Sequence, residues 1–188
     1  MPSHSAKLKK LMLLAMMTSL DVVLSPLFRI EGMAPMSSVI NVIAAVLMGP
    51  LYATLMALAC GVLRMMLLGI PPLALTGAVF GAFFAGIGYR WGKKSEYAML
   101  GEFIGTGIIG SLLSYPVMVW FTGSAQELYW FVYTPRFVGA AIIGSSAARV
   151  VLLKLQEIPL FISMQHLFFG FAFESHPHSL PISRSKIK

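Results

Sequence analysis

Residues 39–68 have the sequence VINVIAAVLMGPLYATLMALACGVLRMMLL, in which two apolar runs meet at Gly49-Pro50. The run before this dipeptide is too short for an ordinary transmembrane helix, which needs about 20 apolar residues. The two runs therefore form either one long helix or two helices joined by a turn. One continuous helix would be about 45 Å long, whereas the hydrocarbon core of a bilayer is about 30 Å thick. Because Pro is tolerated at the first position of a helix, the sequence favours a hairpin with Pro50 opening the second helix.

The whole chain shares this apolar character. Of its 188 residues, 57% are hydrophobic and 11% are charged, and the mean hydropathy is +0.81. A soluble domain is about 45 to 50% apolar and about 25% charged. So few charged residues cannot cover the surface of a water-soluble globule, which excludes a soluble enzyme. Further apolar runs lie at 8–28, 73–89, 97–121 and 135–155, and they predict an all-α integral membrane protein.

The distribution of Lys and Arg predicts the topology. With a cytoplasmic hairpin at 49–50 there are six spans, and 11 of the 14 Lys and Arg residues lie in cytoplasmic segments. The other three, Arg29, Arg64 and Arg136, lie toward the outside. Merging the two runs leaves 5 inside and 9 outside, which inverts the positive-inside rule. We therefore predict a six-transmembrane-helix bundle over residues 1–155 with both termini cytoplasmic. Residues 156–188 are predicted to form an interfacial segment followed by a disordered basic tail.

The residues that usually carry catalysis are missing. There is no phosphate-binding G-x-x-x-x-G-K-[ST] run, no G-x-S-x-G and no H-E-x-x-H, and Cys60 is the single cysteine. We therefore expect no enzyme activity, no catalytic residue and no metal site. Glu102, near the cytoplasmic end of its helix, is expected to pair with Lys93 or Lys94.

Three polar side chains lie deep within the predicted spans, where each costs a few kcal/mol unless it has a partner or a function. By the rise of a helix, Asp21 and Arg64 both lie about 20 Å from the cytoplasmic side. Arg64 either pairs with Asp21 or faces a cavity and holds an anionic or hydrogen-bond-accepting ligand group. Asn41 either bonds a neighbouring helix or contributes to the same site.

Two features at the predicted outer face could complete a pocket. Pro116 removes a hydrogen bond from the fifth helix, so we expect a kink that lets Ser114 and Tyr115 line an outward-facing pocket. Local capping and contacts at the membrane interface are the alternative. Trp130, in the last outer loop, either belongs to an interfacial aromatic belt or stacks on a flat heterocycle.

Six short helices with both termini inside resemble the substrate-binding S components of energy-coupling factor (ECF) transporters. Local sequences narrow the resemblance to the ThiW type, which is associated with the thiazole precursor of thiamin. They are NVIAAVLMGPLYA at 41–53, LR at 63–64, FGA at 80–82, GE at 101–102 and SYP at 114–116. The resemblance covers residues 7–155, and the extension after Leu155 is foreign to it.

This resemblance implies a binder in the prokaryotic cytoplasmic membrane that takes hydroxyethylthiazole or a relative from outside. It implies no cofactor for this chain, because two partner ABC ATPases would use the ATP and a transmembrane T component would complete the importer. The family's first helix packs small residues on the T component, which corresponds here to Ala15 and Ser19. The predicted substrate-binding residues are Asn41, Arg64, Ser114, Tyr115 and Trp130.

Two other classes of function remain open at this point. The chain could be an S component for a different vitamin, or a structural docking subunit without a ligand of its own. A docking subunit would be sensitive to changes at Ala15 or Ser19 and would tolerate changes at Arg64 and Asn41. A self-sufficient secondary transporter is disfavoured, because there is no evident inverted repeat and there are few intramembrane acids for ion coupling.

Overall fold

The computed structural model describes residues 4–30, 33–123 and 130–169. The secondary structure within these ranges consists of helices joined by short connections, with one isolated bridge between Ile30 and Met33. A segment with π-type hydrogen bonds, Phe103–Gly110, joins the fourth and fifth helices. The helices are α1 (His4–Leu27), α2 (Pro35–Leu68), α3 (Leu73–Gly92), α4 (Ser95–Glu102), α5 (Ser111–Thr122), α6 (Thr134–Leu155) and α7 (Pro159–Phe169).

Five helical stretches in the described ranges are long and apolar enough to cross a membrane. They are α1, α2, α3, the continuous stretch Ser95–Thr122 and α6. The prediction of an all-α, multi-pass membrane protein is therefore confirmed. The predicted basic tail lies outside the described residues.

Helix α2 consists of two arms that meet at Gly49. Gly49 has φ 77° and ψ 179°, a conformation that glycine adopts at little cost, and Pro50 follows it. If α2 were straight, Ser37 and Arg64 would lie roughly 40 Å apart. Both nevertheless line one small pocket, so the chain reverses direction at Gly49. The local chemistry of this dipeptide therefore produces the turn that the sequence predicts.

The stretch Ser95–Thr122 packs closely on α3 through small residues. A methyl group on Gly105 would collide with the Phe80 carbonyl group, and one on Gly110 would crowd the backbone of Gly77. The helix continues through Pro116 to Thr122, and the departure from α-helical hydrogen bonding lies before it, at Phe103–Gly110. Short π-type segments are rare and are found frequently at functional sites.

Helix α7 lies beneath the reversal at Gly49. The ring of Phe169 lies against Gly49, and Phe168 meets Tyr52 edge to face with 4.9 Å between ring centroids. The Gln165 side-chain amide donates to the Val46 carbonyl oxygen at 2.9 Å. In a regular helix that oxygen would accept from residue 50, but Pro50 has no N–H. Gln165 therefore supplies the donor that Pro50 lacks.

We call this end of the bundle, with Gly49, Tyr52, Tyr89 and α7, the hairpin end. The ammonium group of Lys10 lies there, 5.7 Å from the centroid of the Tyr52 ring. The opposite end, which contains Arg29, Arg64 and Arg136, is called the pocket end.

Candidate functional site

A pocket of about 100 Å³ opens at the pocket end. Both arms of α2, the start of α3, the π-type segment and α6 line it, together with residues of the connections around them. Its lining is apolar over much of its area, and the polar side chains come from the two arms of α2, Thr106 and two further arginines. An apolar concave site with a few convergent polar groups is the usual form of a small-molecule site.

Asn41 reaches the pocket from the first arm of α2. Its side-chain amide donates to the Ala78 carbonyl oxygen at 3.1 Å and to Glu102 Oε1 at 3.4 Å. Its own oxygen, Oδ1, is buried and has no hydrogen-bonding partner among the described residues. Asn41 therefore makes the interhelical bonds of a packing residue and keeps an unused acceptor at the site.

Glu102 holds two pocket residues in place. Its Oε1 accepts from the Thr106 hydroxyl at 2.8 Å as well as from Asn41, and Thr106 also donates to the Gly77 carbonyl oxygen at 3.0 Å. Glu102 is completely buried, in contrast to the predicted pairing with Lys93 or Lys94. The position predicted for Glu102 was wrong, because its carboxyl group turns into the bundle beside a glycine. A methyl group on Gly81 would clash with the carboxyl and with the Thr106 hydroxyl.

Arg64 reaches the pocket from the second arm of α2. Only 2% of its surface is exposed, and its Nε has no hydrogen-bonding partner in the part of the chain that the structure describes. Asp21, also fully buried, lies close enough for its charge to interact with Arg64. The two side chains are not among the ion pairs of the described residues, which are Arg149 with Glu96 and Lys154 with Glu157. Arg64 thus lines the pocket without being closed off by a direct ion pair.

Asp21 has its own local partner. The Ser25 hydroxyl donates to Asp21 Oδ1, and Oδ2 is buried without a partner among the described residues. Asp21 does not line the pocket, and its carboxyl group lies near enough to Arg64 to act as a partial countercharge.

The other three predicted binding residues do not line the pocket. Ser114 is buried, donates to the Gly110 carbonyl oxygen at 2.7 Å, and shares a 2.6 Å hydrogen bond with the Thr76 hydroxyl. Tyr115 stacks on Trp130 with 4.7 Å between centroids, and Trp130 is 53% exposed. The structure thus brings Asn41 and Arg64 together and sets Ser114, Tyr115 and Trp130 apart from them, so the role of these three stays a prediction.

The pocket is also lined by residues that were not among the predicted binding residues. Arg29 and Arg136 line it, and the charge count had already set them apart as two of the three outward-facing arginines. Ser37 and Thr106 also line it. Nothing in the sequence pattern distinguished these two, because Ser and Thr are common within membrane helices, where they bond to the preceding turn or to a neighbouring helix.

The predicted partner-docking residues lie on an open face. Ala15 and Ser19 are both exposed on α1, and the Ser19 hydroxyl donates to the Ala15 carbonyl oxygen at 2.8 Å. Nothing in the described part of the chain covers them, and their docking role stays a prediction.

Comparison with protein families gave one match. The sequence model of the family described as "Thiamine-precursor transporter protein (ThiW)" matches residues 11–158. No curated protein and no solved structure matches the chain. The matched range includes every residue that lines the pocket and ends just before α7.

Proposed function

The chain belongs to the thiamine-precursor transporter family, ThiW, and from that premise we propose that it is the substrate-binding membrane subunit of an ECF-type importer. Its cargo is a thiazole precursor of thiamin, hydroxyethylthiazole or a relative, captured from outside the cell. The chain itself has no cofactor, since the partner ATPases consume the ATP.

One observation carries the proposal. Three residues that line the pocket keep buried polar atoms without a partner among the described residues: Ser37 Oγ, Asn41 Oδ1 and Arg64 Nε. Leaving such an atom unsatisfied costs about 1 to 3 kcal/mol, and more for a charged group. A polar ligand in the pocket would satisfy these three atoms. They are half of the buried polar side-chain atoms without a partner among the described residues, and the others, Asp21 Oδ2, Glu102 Oε2 and Ser145 Oγ, belong to residues that do not line the pocket.

The proposed orientation of the chain in the membrane follows from the distribution of its Lys and Arg residues. Six crossings with both termini cytoplasmic put the hairpin end, with Lys10, Arg90 and α7, on the cytoplasmic side, as the positive-inside rule requires. The pocket end then faces outward, where the substrate is supplied. The membrane is the prokaryotic cytoplasmic membrane.

The partners are a transmembrane T component and two ABC ATPases. Helix α1 supports this assignment, because many of its large apolar side chains are exposed and the small residues Ala15 and Ser19 lie among them. Small residues let helices approach closely in lipid. The same face would serve a docking subunit without a ligand, which is the competing function.

A binding experiment on the purified, detergent-solubilised chain tests the proposal. The panel contains thiazole alcohols, their carboxylated and phosphorylated forms, pyrimidine precursors and thiamin, and the readouts are thermal shift and calorimetry. We expect one thiazole to bind at low micromolar concentration or below and Arg64→Ala to abolish the binding. The control is Arg90→Ala, which removes an exposed arginine far from the pocket. If no thiazole binds, the substrate assignment fails, and a pyrimidine or thiamin response would indicate another specificity.

A further inference from the structure

We infer that the pocket selects an anionic ligand, a small heterocycle that carries a carboxylate or a phosphate group, over its neutral counterpart. This inference rests on the proposed function and narrows it to one charge class of substrate.

The charged side chains that line the pocket are all of one sign. Three arginines line it, Arg29, Arg64 and Arg136, and none of its lining residues in the described ranges is an aspartate or a glutamate. None of the three arginines takes part in the ion pairs of the described residues. A neutral substrate would not need three guanidinium groups around a pocket of this size.

The three arginines differ in burial, so they have different roles in binding. Arg29 and Arg136 are exposed, whereas Arg64 is buried at 2% exposure. Exposed charges at an entrance attract ligands of opposite sign and are screened by salt. A buried guanidinium group forms stronger bonds, because the low dielectric constant around it strengthens charge-assisted hydrogen bonds to carboxylate or phosphate. The arrangement therefore has an outer pair that attracts the anion and an inner group that binds it.

Two carboxyl groups lie next to the pocket lining without being part of it. Asp21 lies near Arg64 and accepts a hydrogen bond from Ser25, and Glu102 accepts hydrogen bonds from Asn41 and Thr106. Even if both carboxyl groups are ionised, the three arginines leave an excess of one positive charge around the pocket. Thiamin, which carries a permanent positive charge on its thiazolium ring, would be repelled by that excess charge.

Titrations with a charge-matched set of probes test the inference. The set consists of a thiazole alcohol, the matching thiazole carboxylate, the phosphate ester of the alcohol, and thiamin. For the wild-type chain we expect an anionic thiazole to bind at least about tenfold more tightly than the alcohol. The carboxylate and phosphate arms show which anion the site takes.

Variants identify the source of the preference. Arg136→Gln and Arg29→Gln change exposed residues, so we expect them to fold. Each should weaken binding of the anionic probe about three- to tenfold and weaken binding of the alcohol by a smaller factor. Arg90→Gln, which removes an exposed arginine at the hairpin end, should change neither.

The possible results distinguish failure of the inference from failure of the proposed function. Equal or tighter binding of the alcohol to the wild-type chain overturns the inference and leaves the proposed function standing. An anion preference that survives Arg29→Gln, Arg136→Gln and Arg64→Ala unchanged also overturns it, since the preference would then have another origin. If no thiazole binds in any charge state, the proposed function fails and the inference falls with it.

Discussion

The two ends of this bundle differ in whether their buried polar groups have hydrogen-bonding partners. At the hairpin end, the carbonyl oxygen that Pro50 leaves open receives a hydrogen bond from Gln165, whose amide also donates to the Tyr89 hydroxyl at 2.7 Å. At the pocket end, Ser37, Asn41 and Arg64 keep buried polar atoms without a partner among the described residues. Unsatisfied polar groups are expensive in an apolar surrounding, so three of them on residues that line one pocket indicate a site that a ligand completes.

The two ends also differ in their relation to the family match. The pocket lies within residues 11–158, which match the family model, whereas α7 begins at Pro159, after the matched range. Since α7 packs at the hairpin end, we expect changes in it to affect stability and to leave ligand affinity intact.

The largest expected effect comes from removing the buried cation at the pocket end. Arg64→Ala should weaken binding of an anionic thiazole by about 2 to 5 kcal/mol, which is about 30-fold or more, because the ligand loses a buried charge-assisted partner. Calorimetry on the purified chain measures the change, with Arg90→Ala as the matched control. Unchanged affinity in Arg64→Ala would remove Arg64 from the site.

A second change tests the support behind the pocket. Glu102→Ala removes the acceptor shared by Asn41 and Thr106 and should weaken binding about tenfold. Glu102→Gln keeps an oxygen at that position and should stay within about threefold of the wild-type affinity. The control is Glu96→Ala, which breaks an exposed ion pair with Arg149. Equal losses in the Ala and Gln variants would show that the charge of Glu102, and not its acceptor, is what matters.

A third change addresses the hairpin end. Gln165→Ala leaves the Val46 carbonyl oxygen without its donor and should destabilise the fold by about 1 to 3 kcal/mol. A lower midpoint of thermal unfolding measures this loss, and affinity for the ligand should stay within about twofold. Gln156→Ala is the control, since no hydrogen bond of its side chain is present in the described part of the chain. A variant with the wild-type midpoint would mean that α7 does not support the reversal at Gly49.

The smallest expected effect is at Trp130, which the sequence analysis placed at the site. Since its ring stacks on Tyr115 and lies outside the pocket lining, Trp130→Ala should change ligand affinity by less than about threefold. Fluorescence titration with Trp130→Phe as the conservative control measures this. A large loss would indicate that the aromatic residues close over the bound ligand and that the site extends beyond the described pocket.

The sequence predicted those parts of the molecule that depend on local chemistry. The Gly49-Pro50 turn follows from backbone preferences, and Asn41 and Arg64 stand out because polar side chains are rare in apolar spans. The inward position of Glu102 depends on the missing side chain of Gly81 in another helix, so no local pattern could predict it. The bond from Gln165 to Val46 joins residues 119 positions apart and was equally hidden.

The predicted lining by Ser114 and Tyr115 rested on a kink at Pro116. The departure from α-helical geometry lies instead at Phe103–Gly110. Thr106, within that segment, lines the pocket, and Ser114 is bonded to Thr76. The position at which a helix departs from α-helical hydrogen bonding depends on how closely its glycines pack on the neighbouring helix. This packing is a property of the tertiary structure.

The most direct test of the central claim is the ligand-induced thermal shift of three chains measured side by side: wild type, Arg64→Ala and Gln165→Ala. We predict that saturating anionic thiazole stabilises the wild-type chain, stabilises Gln165→Ala by the same increment from a lower starting midpoint, and stabilises Arg64→Ala by a much smaller increment. A full shift retained in Arg64→Ala, or lost in Gln165→Ala, would contradict the assignment of ligand binding to the pocket end and of structural support to the hairpin end.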